Sequence, residues 1–297
     1  MPDRLQLKRI LVPLDGSDLA EAILPVVARL ARDHEAEVVL LEVLAGQQTR
    51  EAEHEVERQA GAYLEQAVAS LRGHGLRRVQ RRVWYGEADQ AIANATAREQ
   101  ADLVAMSTHG RSGLDRLRFG SVAESVVRRA PVPVLLVRGI AAWDRGGIER
   151  ILVPVDGSEA SEEVLPIVSS LAGPFDFEIL LLHVVEATRS LPGSPAGARG
   201  GRDSETEAGY LARLAAPLEA RGLRVGTTVR AGLPAEVIPA VTAETKSGLV
   251  AMSTHGRSGL GRLFVGSVAQ RVLRSVSVPV LLWKPPAGAG QRDPTRP

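Results

Sequence analysis

The stretch Val104-Ala105-Met106-Ser107-Thr108-His109-Gly110-Arg111-Ser112-Gly113-Leu114 recurs without change from Val250 to Leu260. Two flanking stretches repeat with it. Ile10-Leu11-Val12-Pro13-Leu14-Asp15-Gly16-Ser17 returns as Ile151-Leu152-Val153-Pro154-Val155-Asp156-Gly157-Ser158, and Pro133-Val134-Leu135-Leu136 returns as Pro279-Val280-Leu281-Leu282. The offset is 141 residues for the first pair of stretches (10 to 151) and 146 for the later two (104 to 250, 133 to 279). The second copy therefore carries five extra residues before its fourth strand. A period this long means whole duplicated domains rather than a solenoid of small units, and 297 residues suit two domains.

Within each copy, short apolar runs alternate with helical patterns. Strands are expected at Arg9–Leu14, Glu37–Leu44, Arg78–Trp84, Leu103–Ser107 and Val132–Val137, with helices over Leu19–Asp33, Glu51–His74, Ala88–Glu99 and Val122–Arg129. In the second copy strands are expected at Arg150–Val155, Glu178–Val185, Arg224–Arg230, Gly248–Ser253 and Val278–Trp283. Strict alternation of strand and helix implies right-handed crossovers and a parallel sheet. The expected fold is α/β, as two tandem doubly wound, five-stranded, Rossmann-like domains over residues 1–140 and 148–285. A Gly-rich joint falls near Gly139–Gly147, a mobile loop is expected at Ser190–Asp203, and a disordered tail over residues 286–297.

Composition narrows the function. Aromatic residues are only 3%, so the cores must be aliphatic, and an aromatic platform for single-stranded nucleic acid is excluded. Lys and Arg number 36 against 35 Asp and Glu, so no net field favours DNA or an anionic membrane. The absence of cysteine removes disulfides, thiol catalysis and Cys-ligated zinc. The opening Met1-Pro2-Asp3-Arg4 lacks the apolar run of a signal peptide, and no stretch approaches the roughly 18 apolar residues of a bilayer span. A cytoplasmic protein with neither nucleic acid nor membrane as partner is the expectation.

Ligands of open parallel sheets sit beyond the carboxyl ends of the strands, where strand order reverses. Two strand ends per copy carry unusual residues: Asp15-Gly16-Ser17 (Asp156-Gly157-Ser158) and Ser107 to Gly110 (Ser253 to Gly256), the latter followed by a loop to Gly120-Ser121 (Gly266-Ser267). Glycines let backbone approach an anion closely, and free N–H groups at a helix start bind phosphate. Ser121-Val122-Ala123-Glu124 and Ser267-Val268-Ala269-Gln270 read as capping boxes opening such helices. Arg111, Arg116, Arg257 and Arg262 can add positive charge. Each feature also has a plainer explanation: Asp15 as the cap of the first helix, Ser121 as an N-cap only, the arginines as solvated charges, and His109 and His255 as loop histidines without chemistry. His34, His54, His74 and His183 do not recur between copies and have no zinc-ligand spacing.

The strand-one Asp, the strand-two ends Leu41-Glu42-Val43 and Leu182-His183-Val184, and the Met-Ser-Thr-His-Gly loop leading to Gly-Ser resemble the universal stress protein family over nearly the whole chain. Its ATP-binding branch is marked by Gly, two residues, Gly, nine residues, then Gly and Ser or Thr. Gly110 with Gly120-Ser121 and Gly256 with Gly266-Ser267 match; Ser107 and Ser253 stand where the first glycine would be. The resemblance implies an adenine nucleotide alpha hydrolase-like fold with one site per copy. Asp15 and Asp156 would meet the ribose, and Val43 and Val184 the adenine through backbone groups. Pro13, Leu14, Pro154 and Val155 would lie near the base, with Met106 and Met252 beside the sugar. Ser107, His109, Gly110, Arg111, Gly120, Ser121 and Val122 would hold the phosphates, as would Ser253, His255, Gly256, Arg257, Gly266, Ser267 and Val268. The implied ligand is ATP, or ADP or AMP, with Mg2+ bound through the phosphates because no carboxylate cage is visible. Family members pair through the fifth strand. Here Val132–Val137 and Val278–Trp283 would pair within one chain as a pseudo-dimer, leaving a homodimer of whole chains open.

Neither GxxxxGK[ST] nor a triad placement is present, so a regulatory, stress-response nucleotide binder with at most slow hydrolysis is the first reading. An adenylating enzyme and an interaction module with vestigial sites are the alternatives.

Overall fold

The computed structural model describes residues 7–46, 50–108, 120–138, 148–172, 177–185, 206–254 and 265–284. The first domain runs β1 (Arg9–Leu14), α1 (Asp18–Glu21), α2 (Leu24–Asp33), β2 (Glu37–Leu44), α3 (Arg50–Gly73), β3 (Val79–Tyr85), α4 (Ala88–Arg98), β4 (Leu103–Ser107), α5 (Ser121–Arg129) and β5 (Val134–Val137). The second repeats it as β6 (Arg150–Val155), α6 (Glu159–Glu162), α7 (Leu165–Ala172), β7 (Glu178–Val185), α8 (Glu207–Glu219), β8 (Arg224–Ala231), α9 (Pro234–Glu244), β9 (Leu249–Ser253), α10 (Ser267–Ser275) and β10 (Val280–Trp283). The expected linker, the extra loop at Ser190–Asp203 and the tail lie outside the described residues.

The strands form one sheet in the order β3-β2-β1-β4-β5-β10-β9-β6-β7-β8. Every pairing is parallel except that of β5 with β10, which is antiparallel, with Leu281 opposite Leu135. The two strands expected to meet within the chain do so, and the domains share an unbroken sheet. Within each domain the order reverses between the first and fourth strands, which defines the switch point.

Helices cover both faces, so successive strand residues are buried on opposite sides and the strands read as continuous apolar runs. Ile10, Val12, Leu103 and Ala105 enter one core cluster, whereas Leu11, Val39, Leu41, Val104 and Met106 enter the other. The first cluster crosses the domain boundary, joining Val26, Leu30 and Leu135 to Leu171, Phe177 and Leu281.

The single helix expected over Leu19–Asp33 is in fact two, α1 and α2. Pro25 lacks an N–H and its ring crowds the carbonyl four residues back, that of Glu21, where α1 ends. Pro166 and Glu162 repeat the break between α6 and α7.

Candidate functional site

At the switch point β1 and β4 pair along their amino-terminal halves, Ile10 opposite Leu103 and Leu11 opposite Val104, and this pairing does not run on to their carboxyl ends. Beyond β1 the chain turns at Gly16, whose φ of 81° favours glycine; Gly157 repeats it at 85°. Asp15 shapes this turn. Its Oδ1 accepts from the Ser17 amide at 3.1 Å and the Ser17 hydroxyl at 2.6 Å, and the Asp156 Oδ1 accepts from Ser158 at 3.0 and 2.6 Å. The N-cap of α1 is Ser17, whose Oγ accepts from the Ala20 amide at 3.2 Å. Asp15 therefore does not cap the helix; it braces the residue that does.

Beyond β4 the chain leaves and returns. The Thr108 amide donates to the Val137 carbonyl at 2.9 Å, while the Thr108 carbonyl accepts from the Gly120 amide at 3.1 Å. In the second domain Thr254 donates to Trp283 at 2.8 Å and accepts from Gly266 at 3.0 Å. Both ends of the glycine loop are thus pinned to one threonine. A Cβ on Gly266 would sit 2.7 Å from the Thr254 carbonyl oxygen, so this close return demands glycine.

The expected capping boxes are not formed. Gly120 and Gly266 are the N-caps, with no side-chain cap hydrogen bond, and Ser121 and Ser267 are the first helical residues, both exposed. The Gln270 amide turns instead to the Val265 carbonyl at 3.1 Å. The reason is the threonine clasp: it holds Gly120 and Gly266 in extended backbone one residue before each serine. Glycine N-caps bring no side chain of their own to the first-turn N–H groups of α5 and α10, an arrangement that favours an anion.

On the face covered by α4 and α5, Val43 packs against the cluster holding Met106, and on the matching face Val184 packs against that of Met252; both methionines are 7% exposed. Pro13 and Leu14 lie on β1 next to β2, with Pro13 opposite Leu41; Pro154 and Val155 lie opposite Leu182 and His183. Val122 is exposed and Val268 partly so on the first turns of their helices. Ser107 and Ser253 are buried at the ends of β4 and β9, and the Ser253 Oγ has no hydrogen-bond partner. His109, Gly110, Arg111, Arg116, His255, Gly256, Arg257 and Arg262 lie outside the described residues. Among the described residues no three acidic or histidine side chains form a metal cluster, and no helix is long and apolar enough to cross a membrane.

Repeat matching misses one further constellation. Tyr63 and Tyr210 occupy equivalent places on α3 and α8. The Gly157 amide donates to the Tyr210 hydroxyl at 3.1 Å, and Tyr210 meets the buried His183 ring edge-on at 5.4 Å. The His183 Nδ1–H donates to the Val155 carbonyl at 2.9 Å. Burial and the nearby Glu162 push the Tyr210 phenol well above its usual range; burial, Glu21, Glu42 and Asp15 do the same to Tyr63. A signal existed in the sequence: of three tyrosines in the chain, two precede a leucine at corresponding places in the repeat.

The model of the universal stress protein family matches residues 6–138 and again 147–284. A universal stress protein of Mycolicibacterium smegmatis is 27% identical over 291 residues, covering 93% of this chain and 97% of its own. One from Methanocaldococcus jannaschii is 33% identical over 142 residues, covering 46% of this chain and 83% of its own. Among solved structures, a universal stress protein from Archaeoglobus fulgidus superposes with a TM-score of 0.72 at 21% identity, covering 94% of this chain and 97% of that one. The chain belongs to the universal stress protein family, as a tandem member with two such domains.

Proposed function

We propose that each domain binds an adenine nucleotide, ATP in the first instance, as a regulatory ligand in a stress response. The observation that carries this reading is the threonine clasp. By returning the chain through a bare glycine, it starts α5 or α10 at the carboxyl end of β4 or β9, the strand next to the one that carries the Asp15 or Asp156 turn. The residues fit such a ligand in two ways: the helix starts offer N–H donors to phosphate, and the Val43 and Met106 side, like that of Val184 and Met252, offers an aliphatic wall to a base. Asp15 and Asp156, each braced in its turn by an oxygen that accepts from Ser17 or Ser158, would meet the ribose. A bound nucleotide would supply phosphates that hold Mg2+; this chain's own part is to bind and orient it.

A few charge-assisted hydrogen bonds of about 1.5–3 kcal/mol each set against association costs of about 4–15 kcal/mol give an affinity of about micromolar, suited to a ligand that comes and goes. Calorimetric titration of nucleotide-stripped protein with ATP and Mg2+ tests the reading. The expected result is about two ATP per chain, halved in Asp15→Ala and in Asp156→Ala. No heat at millimolar ATP, from a chain shown to be folded, overturns it.

A further inference from the structure

The nucleotide-loop helix of each domain is held at its far end by the other domain. Lys284, which follows β10, donates its Nζ to the Arg128 carbonyl in the last turn of α5. Arg138, which follows β5, donates to the Arg274 carbonyl in the last turn of α10. The two contacts occupy equivalent places in the repeat, at an offset of 146 residues (138 to 284, 128 to 274). Antiparallel pairing explains them: the end of β5 lies beside the start of β10, which follows α10 almost at once. Carbonyls of a final helical turn lack intrahelical partners, and a cation there satisfies them and complements the helix dipole.

Followed through, the contacts close a ring. From the Thr108 amide the path runs to the Val137 carbonyl and on to Arg138. Arg138 grips the last turn of α10, and the first residue before α10, Gly266, donates to the Thr254 carbonyl. The Thr254 amide donates to the Trp283 carbonyl, next to Lys284, which grips the last turn of α5; Gly120 at the start of α5 donates back to Thr108. Each clasp is therefore one residue from the cation that steadies the opposite helix.

We propose that Lys284 is a positioning residue for the nucleotide site of the first domain and Arg138 for that of the second, each acting across the domain boundary. A helix of nine residues tethered at its last turn moves nearly as a rigid rod. Loss of the tether therefore displaces the first-turn N–H groups at its other end. The proposal rests on the nucleotide reading above, so its test has one arm that needs no ligand.

In the first arm, ATP with Mg2+ is titrated into chains carrying Asp156→Ala, where only the first site remains, or Asp15→Ala, where only the second does. Lys284→Ala is expected to weaken the first site about two- to fivefold, the scale of a cation at a helix terminus, and to leave the second unchanged. Arg138→Ala does the reverse, and Lys284→Arg restores the first site. Weakening of the variant's own domain alone, of both sites equally, or of neither overturns the proposal. The second arm is amide exchange in the nucleotide-free chain. Lys284→Ala is expected to speed exchange at Ser121–Ala123 and Arg138→Ala at Ser267–Ala269, with thermal unfolding showing that both variants remain folded. Unchanged exchange at these amides overturns the proposal even where ATP binds. Crossed exchange with no ATP binding upholds the positioning and overturns only the nucleotide reading.

Discussion

The two domains share a backbone and differ in how side chains fasten it. The threonine clasp closes at 3.1 Å in the first and 3.0 Å in the second, and the aspartate turns agree within 0.1 Å. Around this common frame the fastenings diverge. The buried residue before Val43 is Glu42, whereas His183 stands before Val184. Arg98 lies over the Trp84 ring at 5.6 Å; at the same two places the second domain has Arg230 and Glu244, an ion pair at 3.1 Å. Asp89 joins α4 to α5 through Ser125 and Arg129, where the second domain carries Ala235, Arg271 and Ser275. What repeats is what the candidate site uses: main-chain donors, tight turns and glycines. Several side chains that hold helices to the sheet differ between the copies, while others repeat, such as Arg9 with the Glu99 carbonyl and Arg150 with the Thr245 carbonyl.

The sharpest way to break the likeness is at a clasp. Gly266→Ala places a Cβ against the Thr254 carbonyl, and only backbone movement relieves it. The expected cost is about 1–3 kcal/mol, the scale of a broken, buried main-chain hydrogen bond, read by urea unfolding. ATP stoichiometry should fall from two to one, with the first site retained. A variant as stable as the parent would show that the close return does not require glycine.

Much of this frame was legible from the repeat. β1, β2, β4, β6 and β7 begin and end at the expected residues, because buried parallel strands announce themselves as short aliphatic runs. β5 and β10 are shorter than expected, starting at Val134 and Val280: Pro133 and Pro279 have no N–H for the ladder. The helix start at Ser121 was misplaced by one residue, since glycine and serine both suit an N-cap and the choice is made by Thr108, well outside the helix. Glu42 and His183 stand in the sequence without a role of their own, because comparing copies for identity assigns none to places where they differ. The gripping cations could not be read at all: Lys284 and Arg128 are 156 residues apart, and only the antiparallel pairing brings them together.

A second contrast concerns acid. The Ser125 hydroxyl, donating at 2.6 Å, holds the Asp89 carboxyl below its usual range; burial opposes this, and the Gln90 amide and Arg129 reinforce it. A carboxyl depressed in the folded state adds stability above its ordinary value of about 3.9, and that stability is lost as pH falls through the depressed value. Ala235 contributes nothing comparable. Between pH 5 and 2, roughly the span of this linkage, amide exchange should rise in α4 and α5 before α9 and α10. Asp89→Ala should cost about 0.5–1 kcal/mol at neutral pH and remove that difference. Equal acid sensitivity in both helix pairs would count against the assignment.

The smallest effect separates two kinds of attraction at one place. Arg98 over Trp84 draws on the ring's quadrupole, worth about 0.5–1 kcal/mol when exposed. Arg230 with Glu244 is a surface ion pair, with side chains 42% and 61% exposed, worth about 0.2–1 kcal/mol. At neutral salt the two are therefore hard to tell apart by size alone. Salt separates them. Raising ionic strength from about 0.1 M to about 1 M shortens the screening length from about 10 Å to about 3 Å. The Arg230–Glu244 coupling, measured by a double-mutant cycle with alanine, should then shrink towards zero, while the Trp84–Arg98 coupling, between a cation 5.6 Å from the ring centroid and a quadrupole rather than a full opposite charge, keeps most of its value. Equal salt dependence would mean that Trp84 holds Arg98 in place only by packing beside it, and that the two domains fasten this edge of the sheet in the same way after all.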